Sequence, residues 1–352
     1  MPKIIQVATT QMDAAPAPLT ERLEHAEKLV SDAARSGAQL VVLPELFNIG
    51  YAYTDQNFER AEPISGKTST WMKSTAAHFN VHLAGTILLL ENGEIYNSML
   101  LFSPKGQIWR YDKNYPWAWE RGYFRERRGM TIAKTELGDL GMLICWDIGH
   151  PRVWKQYAGK TDMIVIASCP PDGPNASFEF PNGENLDFGD MGTMMSSLKN
   201  AGRSFFGEMV NQQAGWLGVP VVNSGASGRV KTQIPKANTL LKMFILFAPH
   251  IRKLLPTARQ LQMSCEMIPS CKVVNASGHV LAERMPAHGE GFVLAEVSIG
   301  DSKSRPGNQQ PNPPMNSMEY LISLLNADFV IPSMMKSVYK NGLMRIKESR
   351  FQ

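Results

Sequence analysis

Short apolar runs alternate with an amphipathic segment near the N-terminus, and this constrains the fold most. The runs KIIQVATT (Lys3–Thr10) and QLVVLPE (Gln39–Glu45) are rich in Val, Ile and Leu, which predicts buried strands. The segment between them places apolar residues on one helical face, with Gly37 as its C-terminal cap. These apolar residues are Leu19, Leu23, Ala26, Val30 and Ala33. The order predicts a β-α-β unit.

The same kind of apolar run recurs along the chain. Further strands are predicted at VHLAGTILLL, NSMLLFSP, QIWRYDK, DLGMLIC, DMIVIAS, VPVVNSG, CKVVNASGHVLAE and GFVLAEV. Pro151 suits the first turn of a helix that ends at Gly159, and Ser277–Gly278 suits a hairpin turn. The chain is therefore predicted to be an α/β protein with buried strands and helices outside them.

Two stretches interrupt this rhythm. Residues 170–189 are rich in Pro, Gly and Asn, which predicts a long loop of the kind that covers a site. Residues 228–262 are apolar and basic, with Pro249 and Pro256 predicted to break a helix. We expect one domain over 1–300 with inserts at about 170–205 and 229–263. An extension over 301–352 is expected to form an oligomer.

The cysteines argue against metal chemistry. Cys145, Cys169, Cys265 and Cys271 form neither a CxxC pair nor a Cys/His cluster. A zinc site is therefore not expected, and a reduced, cytoplasmic setting is. The N-terminus lacks the apolar core of a signal peptide, and no run approaches the roughly 18 apolar residues of a membrane span.

Charge is spread unevenly along the 352 residues, whose net charge is +4. No Asp or Glu occurs from Met209 to Cys265, whereas seven bases do: Arg229, Lys231, Lys236, Lys242, Arg252, Lys253 and Arg259. The tail from Ser333 is also basic. Both segments are candidate contacts for an anionic partner or a protein surface, or simply solvated basic faces. We expect no nucleic-acid partner.

Three reactive side chains follow three predicted strands. Glu45 comes after LVVLP, Lys113 after IWRYD and Cys145 after GMLI. Ligands of open α/β sheets lie beyond the carboxyl ends of the strands. A thiol, a carboxylate and an ammonium suffice for covalent acyl transfer. The ammonium and the backbone N–H of Trp146 would stabilise the oxyanion. We expect the cation and the following helix to lower the pKa of the thiol.

The contexts of these residues resemble the carbon–nitrogen hydrolase family, also called the nitrilase superfamily. The matching stretches are VVLPELFNIGY around Glu45, YDKNYPWAWERGYF around Lys113 and LGMLICWDIGHPRVWKQYAGKTDMIVIAS around Cys145. GVPVVNSGASG and VVNASGHVLAE add support. The resemblance covers roughly Lys3 to Ser298, and its cysteine-centred part is the most specific.

The resemblance implies a four-layer α-β-β-α sandwich without a cofactor or metal. It implies that Glu45 is the general base, Lys113 the oxyanion stabiliser and Cys145 the nucleophile. Glu120, in WERGYF, matches a second family glutamate that would orient the lysine and the substrate. The alternative for Glu120 is an ion pair with Arg121 or Arg125.

Substrate is not carried over, because Asp112 beside the lysine and the two inserts depart from the family pattern. Amide or N-carbamoyl hydrolysis is favoured, with nitrile hydrolysis, N-acyl transfer and a silent scaffold as alternatives. The complete triad argues against the scaffold.

Candidate substrate-contacting or oxyanion residues are Tyr51, Trp117, Trp146, Asp147 and His150. Nearby Trp119, Phe124, Met191, Met194 and Met195 are candidates for an apolar pocket or for plain core.

The basic apolar insert leaves three alternatives for residues 239–255. It is an oligomer interface, a lid over a hydrophobic substrate, or a peripheral contact with an anionic membrane. The expected partners are a small-molecule substrate and further copies of the chain in a homo-oligomer.

Overall fold

A computed structural model describes residues 2–350; of residues 193, 194, 197, 198, 349 and 350 it describes only the backbone. The strands are β1 (Lys3–Asp13), β2 (Leu40–Val42), β3 (His82–Glu91), β4 (Glu94–Phe102), β5 (Ile108–Asp112), β6 (Ile132–Thr135), β7 (Gly138–Ile144), β8 (Met163–Ala167), β9 (Ser177–Glu179), β10 (Asn185–Leu186), β11 (Val221–Asn223), β12 (Gly225–Ser227), β13 (Arg229–Gln233), β14 (Gln262–Glu266), β15 (Cys271–Val274), β16 (Val280–Arg284) and β17 (Gly291–Ile299).

The α-helices are α1 (Leu19–Arg35), α2 (Gln56–Glu59), α3 (Lys67–Phe79), α4 (Pro151–Tyr157), α5 (Thr193–Ser204), α6 (Val210–Leu217), α7 (Ala237–Phe244), α8 (Ser317–Leu325) and α9 (Ile331–Arg350). Segments of 3-10 helix are Ala118–Gly122, Cys145–Gly149, Gly173–Asn175, Pro249–Gln260 and Pro286–His288. Two π-helical turns, Phe205–Met209 and Asn326–Val330, complete the helical elements.

Two large sheets form the centre of the molecule. The first has the order β12-β1-β2-β3-β4-β5, with β17 antiparallel to β1, and the second the order β16-β15-β11-β8-β7-β6. β1 and β2 pair in parallel on either side of α1 in the chain, which confirms the predicted β-α-β unit.

Side-chain alternation along the strands produces four layers. Ile5 and Val7 of β1 share a core with Leu143 of β7 and Ile166 of β8, between the two sheets. Ala8 of β1 faces the other way, into a cluster that holds residues of α1 and α3. The outer face of the second sheet is covered by α4 and α6. The four-layer α-β-β-α sandwich is therefore confirmed.

Local turns differ from the sequence prediction in two places. The strands β3 and β4 extend beyond the predicted runs VHLAGTILLL and NSMLLFSP and leave only Asn92 and Gly93 as the turn, with φ of 51° and 78°. These left-handed values suit a tight hairpin turn. The strand predicted over Gln39–Glu45 is shorter, because Leu46 adopts φ of 52° and the chain turns after β2.

The two inserts meet in a small third sheet of order β10-β9-β14-β13. The stretch predicted as a loop therefore contains β9 and β10, and the basic insert supplies β13 and β14. Apolar residues of that insert pack in a shared cluster with Phe178 and Phe188: Leu240, Leu241, Phe244, Ile251 and Leu254. Leu246 and Phe247 stay 80% and 55% exposed. Membrane contact through residues 239–255 stays a prediction. Leu246 and Phe247 are the side chains that would enter the membrane surface, and liposome flotation would test this.

The C-terminal extension forms one helical stretch, Ser317–Glu348, with a π-helical turn inside it. An 18-residue window of this stretch has a mean hydropathy of 1.2, so the stretch is long and apolar enough to cross a membrane by length and composition only, which we did not expect from the sequence. Ile331 and Met335 are nevertheless fully buried against the protein. Core helices pass the same composition test, so composition alone does not place this helix in a bilayer.

Candidate active site

The two carboxylate oxygens of Glu45 differ in their hydrogen bonding. Its Oε1 accepts hydrogen bonds from Lys113 Nζ and from Asn97 Nδ2, both at 2.7 Å. Its Oε2 is buried and, among the described residues, has no hydrogen-bond partner. An unpartnered buried oxygen is costly, which suggests that it serves a ligand or a proton transfer. The carboxylate is thus oriented at one atom and available at the other.

Lys113 is fully buried between two carboxylates. Its Nζ lies 2.7 Å from Glu45 Oε1 and 2.7 Å from Glu120 Oε2. Burial alone would lower the pKa of Lys113, but the charges of Glu120 and Glu45 outweigh it and hold the pKa well above its usual value. The lysine is therefore a fixed cation.

Glu120 lies in the 3-10 segment that follows Lys113, and its carboxylate accepts hydrogen bonds from three donors, the first of which is Lys113. Its Oε2 also accepts from the backbone N–H of Trp117 at 2.7 Å, and its Oε1 accepts from Tyr51 Oη at 2.9 Å. Burial raises the pKa of Glu120, against the opposing charge of Lys113. The alternative ion pairs with arginine do not form, because Arg121 pairs with Glu126 and Arg125 with Glu94.

Asp112, next to the lysine, is directed away from the site. Its carboxylate is bound by Arg110 Nε at 2.8 Å and by Arg127 Nη1 at 3.0 Å. Neighbouring side chains of a strand point to opposite faces, so Asp112 and Lys113 do not share a pocket. Two arginines neutralise Asp112 at a separate place in the structure.

Cys145 lies at the sharp turn from β7 into a 3-10 segment. Its φ is 45°, a left-handed value that costs a residue with a Cβ about 1 kcal/mol or more. The N–H of Trp146 is in the first turn of that segment, where a helical N–H has no acceptor inside its own helix. The turn thus places the thiol beside a backbone donor that the hydrogen bonds of its own segment do not use.

The electrostatic setting of the thiol differs from the expectation of a lowered pKa. Burial and the carboxylate of Glu45 raise the pKa of Cys145 well above its ordinary value, and the charge of Lys113 opposes them only in part. The prediction was based on the charge of Lys113 alone, but the buried carboxylates of Glu45 and Glu120 also act on the thiol and raise its pKa. Cys145 therefore rests as a neutral thiol and needs a base before it can attack.

Cys145 lines a pocket that is open to the protein surface. Its floor contains Tyr51, Trp117, Glu120, Cys145 and Trp146. The inserts and the segment around α5 supply its apolar walls: Pro170, Pro171, Phe188, Ala201, Phe206, Met263 and Ile268. The sequence-predicted Tyr51, Trp117 and Trp146 thus meet the thiol in one cavity.

Asp147 and His150, two predicted pocket residues, lie behind the turn that carries Cys145 and stabilise it. Asp147 Oδ1 accepts from the N–H of Tyr115 at 2.8 Å, and its Oδ2 from Tyr111 Oη at 2.8 Å. Burial raises the pKa of Asp147 to about 6. His150 stacks on the ring of Tyr115 with centroids 3.4 Å apart. Neither lines the pocket, because the 3-10 segment turns both side chains away from it.

The remaining aromatic and methionine candidates are mostly core. Trp119 packs 5.8 Å from the ring of Tyr53, and Phe124 lies 5.9 Å from Lys113 Nζ. Met191 and Met195 are buried in the neighbouring cluster. The side chain of Met194 lies outside the described residues.

Several site residues have no sequence pattern that identifies them. Asn97 orients Glu45 from β4, and the backbone of Cys169 is close enough to the thiol to act against the rise in the pKa of Cys145. A lone Asn within the apolar run NSMLLF was the one available signal for Asn97. A backbone group leaves no signal in a sequence.

Together these groups can perform covalent acyl transfer. The free Oε2 of Glu45 can take the thiol proton, and the sulfur can then attack a carbonyl carbon. The ammonium of Lys113 and the N–H of Trp146 are the donors available to an oxyanion.

We expect Glu45→Gln to lower the pKa of the Cys145 thiol, because the Glu45 charge helps to raise it. Alkylation by iodoacetamide, followed against pH by peptide mass spectrometry, should then begin at lower pH than in wild type. Amide turnover should instead fall by about 10²- to 10⁴-fold, since the base is lost. Glu126→Gln, a surface change, is the control. An unchanged alkylation profile would contradict the proposed proximity of Glu45 to the thiol.

Comparison with known proteins finds relatives of this chain. The carbon–nitrogen hydrolase family model matches residues 6–186, just over half of the chain. A nitrilase of Pyrococcus abyssi is 32% identical over 167 residues, which cover 46% of this chain and 63% of that protein. A deaminated glutathione amidase of Synechocystis sp. PCC 6803 is 31% identical over 179 residues, covering 46% and 65%. The chain thus spans less than two thirds of these relatives.

The fold has a solved counterpart. A mutant amidase from Nesterenkonia sp. AN1, with acrylamide added to its active-site cysteine, superposes with a TM-score of 0.59 at 15% identity. The match covers 83% of this chain and 92% of that one. At this identity the likeness concerns the fold alone. With the family model matching more than half of its residues, the chain belongs to the carbon–nitrogen hydrolase family.

Proposed function

We propose that the protein is an amidase that hydrolyses a linear amide or N-carbamoyl compound through an acyl-enzyme on Cys145. The observation that carries the proposal is the half-free carboxylate of Glu45. One oxygen is fixed by Lys113; the other is buried, has no hydrogen-bond partner in the described part of the chain, and belongs to a carboxylate whose charge acts on the thiol. Because the pKa of the Cys145 thiol is raised, the thiol needs a nearby base, and the unpartnered oxygen of Glu45 can accept its proton.

The first half-reaction forms a thioester. Glu45 takes the proton of Cys145 as the sulfur bonds to the carbonyl carbon, and the oxygen becomes an oxyanion held by Lys113 and the N–H of Trp146. When the C–N bond breaks, the leaving amine takes the proton back from Glu45.

The second half-reaction returns the free enzyme. Glu45 takes a proton from water, whose oxygen attacks the thioester carbon. The C–S bond breaks, Cys145 regains a proton from Glu45, and the carboxylic acid leaves.

The pocket supports a hydrophobic acyl group. Phe188, Phe206, Met263 and Ile268 form its walls, and such surfaces recognise apolar ligands. Nitrile hydrolysis is the second candidate, since one of the relatives above is a nitrilase.

Mass spectrometry of the wild-type protein with a panel of amides, carbamoyl amino acids and nitriles tests the proposal. We expect an acyl adduct on Cys145 that is trapped best with apolar acyl groups. Product that requires an added amine would indicate acyl transfer instead. An adduct on Cys169, or turnover without any cysteine adduct, would contradict the mechanism.

We also propose that the C-terminal extension joins copies of the chain. Four exposed apolar side chains recur along α8 and the turn after it at spacings of three and four: Met318, Leu321, Leu325 and Phe329. Their exposures of 64%, 60%, 44% and 67% are unusual for an unpartnered helix face. Such a seam suits packing against the same helix of a second copy.

Light scattering after gel filtration tests this interface. Wild type is expected to run as a dimer or larger, and Leu321→Glu/Leu325→Glu as a monomer. Lys340→Glu, a change further along the extension, should leave the mass unchanged. A monomeric wild type, or a double variant with unchanged mass, would refute the seam.

A further inference from the structure

Hydrogen bonds hold the middle of the catalytic turn, which we define as residues 145–150. Asp147 is held by Tyr111 and Tyr115, as described above, and the carbonyl of Ile148 accepts from Trp154 Nε1 at 2.8 Å. These contacts come from β5, from the segment after it and from α4. They leave the side chain of Trp146 and the carbonyl of Gly149 to be held from elsewhere.

The C-terminal extension supplies both missing contacts. Asp328, in the π-helical turn between α8 and α9, accepts from Trp146 Nε1 at 3.1 Å through Oδ1. Its Oδ2 lies 3.5 Å from His150 Nε2. Tyr320 Oη donates to the carbonyl of Gly149 at 3.1 Å. This segment lies outside residues 6–186, which match the family model.

Trp146 depends on that contact because its other neighbours are apolar or edge-on. Its indole meets Trp117 at 6.4 Å, His150 at 6.1 Å and Phe205 at 5.3 Å, all in edge-to-face arrangements. Nε1–H is the single polar atom of the side chain, and Asp328 accepts it. The same indole lines the pocket beside the nucleophile.

Burying the carboxyl group of Asp328 costs free energy, which favours a specific role for this residue. Its side chain is only 6% exposed, and burial raises the pKa of Asp328 to about 6. A buried carboxyl is expensive unless its hydrogen bonds are satisfied. An apolar residue would pack at this site without that cost.

We propose that Asp328 is a positioning residue that fixes the Trp146 indole as a wall of the acyl pocket, so that the C-terminal extension completes the active site. The proposal rests on the proposed function for the role of the pocket. The geometry of Trp146 and Cys145 can, however, be probed without any substrate.

The probe is alkylation of Cys145 by two reagents of different size, iodoacetamide and N-benzyl iodoacetamide. In Asp328→Leu the indole loses its acceptor and can swing into the pocket, which obstructs the larger reagent. We expect the rate for the benzyl reagent to fall about tenfold, as for a lost hydrogen bond to a charged group. The rate for iodoacetamide should stay within about twofold.

Asp328→Asn is the conservative variant. Its amide oxygen can still accept from Trp146 Nε1, so both alkylation rates should remain near those of wild type. Glu319→Leu, an exposed acid on the same extension, is the matched surface control. Melting temperatures of all variants show whether a loss reflects unfolding.

Three results would overturn the proposal. They are an unchanged size ratio in Asp328→Leu, an equal fall for both reagents, and a loss in Asp328→Asn as large as in Asp328→Leu. If the protein hydrolyses no amide while the size ratio changes as expected, the proposed function fails and the positioning role stands. If amides are hydrolysed and the ratio is unchanged, the reverse holds.

Discussion

Replacing Cys145 by alanine is expected to abolish turnover, with a fall on the order of 10⁴-fold or more. The reason is that the remaining groups cannot replace a nucleophile that forms the acyl bond. Glu45, Lys113 and the N–H of Trp146 would still bind and polarise the carbonyl. Steady-state hydrolysis of the best amide of the panel measures the loss, and peptide mass spectrometry should show no acyl adduct.

Cys169 provides the matched control for this prediction. It is buried, its Sγ lies 3.8 Å from Met267 Sδ, and its backbone influences the pKa of the Cys145 thiol. Cys169→Ala keeps that backbone and should retain turnover within about threefold. Substantial turnover in Cys145→Ala, or its loss in Cys169→Ala, would move the nucleophile to the second cysteine.

Most of the candidate site could be predicted from the residues that follow the strands. Glu45, Lys113 and Cys145 each follow a buried strand, and the folded sheets bring Lys113 between Glu45 and Glu120. Apolar runs of this length specify strands, and the two-layer packing of those strands fixes where their ends meet. The residue types and the order along the chain were therefore sufficient to place the candidate triad in one site.

Long-range contacts and electrostatics were beyond the sequence pattern. Asp328 reaches Trp146 across 182 residues, and no periodicity in the extension indicates that pairing. The raised pKa of Cys145 depends on burial and on the sum of nearby charges, which a one-dimensional spacing does not give. Asp147 and His150 are close to Cys145 in the sequence, yet the 3-10 turn directs their side chains away from the pocket.

Replacing Lys113 by methionine is expected to lower both activity and stability. Loss of an oxyanion donor should reduce kcat by about 10²- to 10³-fold. Breaking a buried ion pair from one side costs about 3–5 kcal/mol, because the carboxylates of Glu45 and Glu120 remain buried without their cation. Steady-state kinetics and urea unfolding measure the two effects separately.

The stability deficit should depend on pH in a defined direction. The pKa of Glu120 is already raised by burial, and the loss of Lys113 removes its main opposing charge. A carboxyl whose folded pKa exceeds its unfolded value favours the folded state at low pH and loses that contribution as pH rises. The free energy of unfolding of Lys113→Met should therefore approach that of wild type near pH 5 and diverge from it towards pH 8.

A double variant separates the charge balance from the chemistry. Lys113→Met/Glu120→Gln removes one buried carboxylate together with the cation, so stability should recover in part. Activity should stay as low as in Lys113→Met, because the oxyanion donor is still absent. Recovery of turnover in the double variant would mean that Lys113 serves only to neutralise Glu120. A Lys113→Met protein as stable as wild type at pH 8 would show that the carboxylates are not charged together in the folded site.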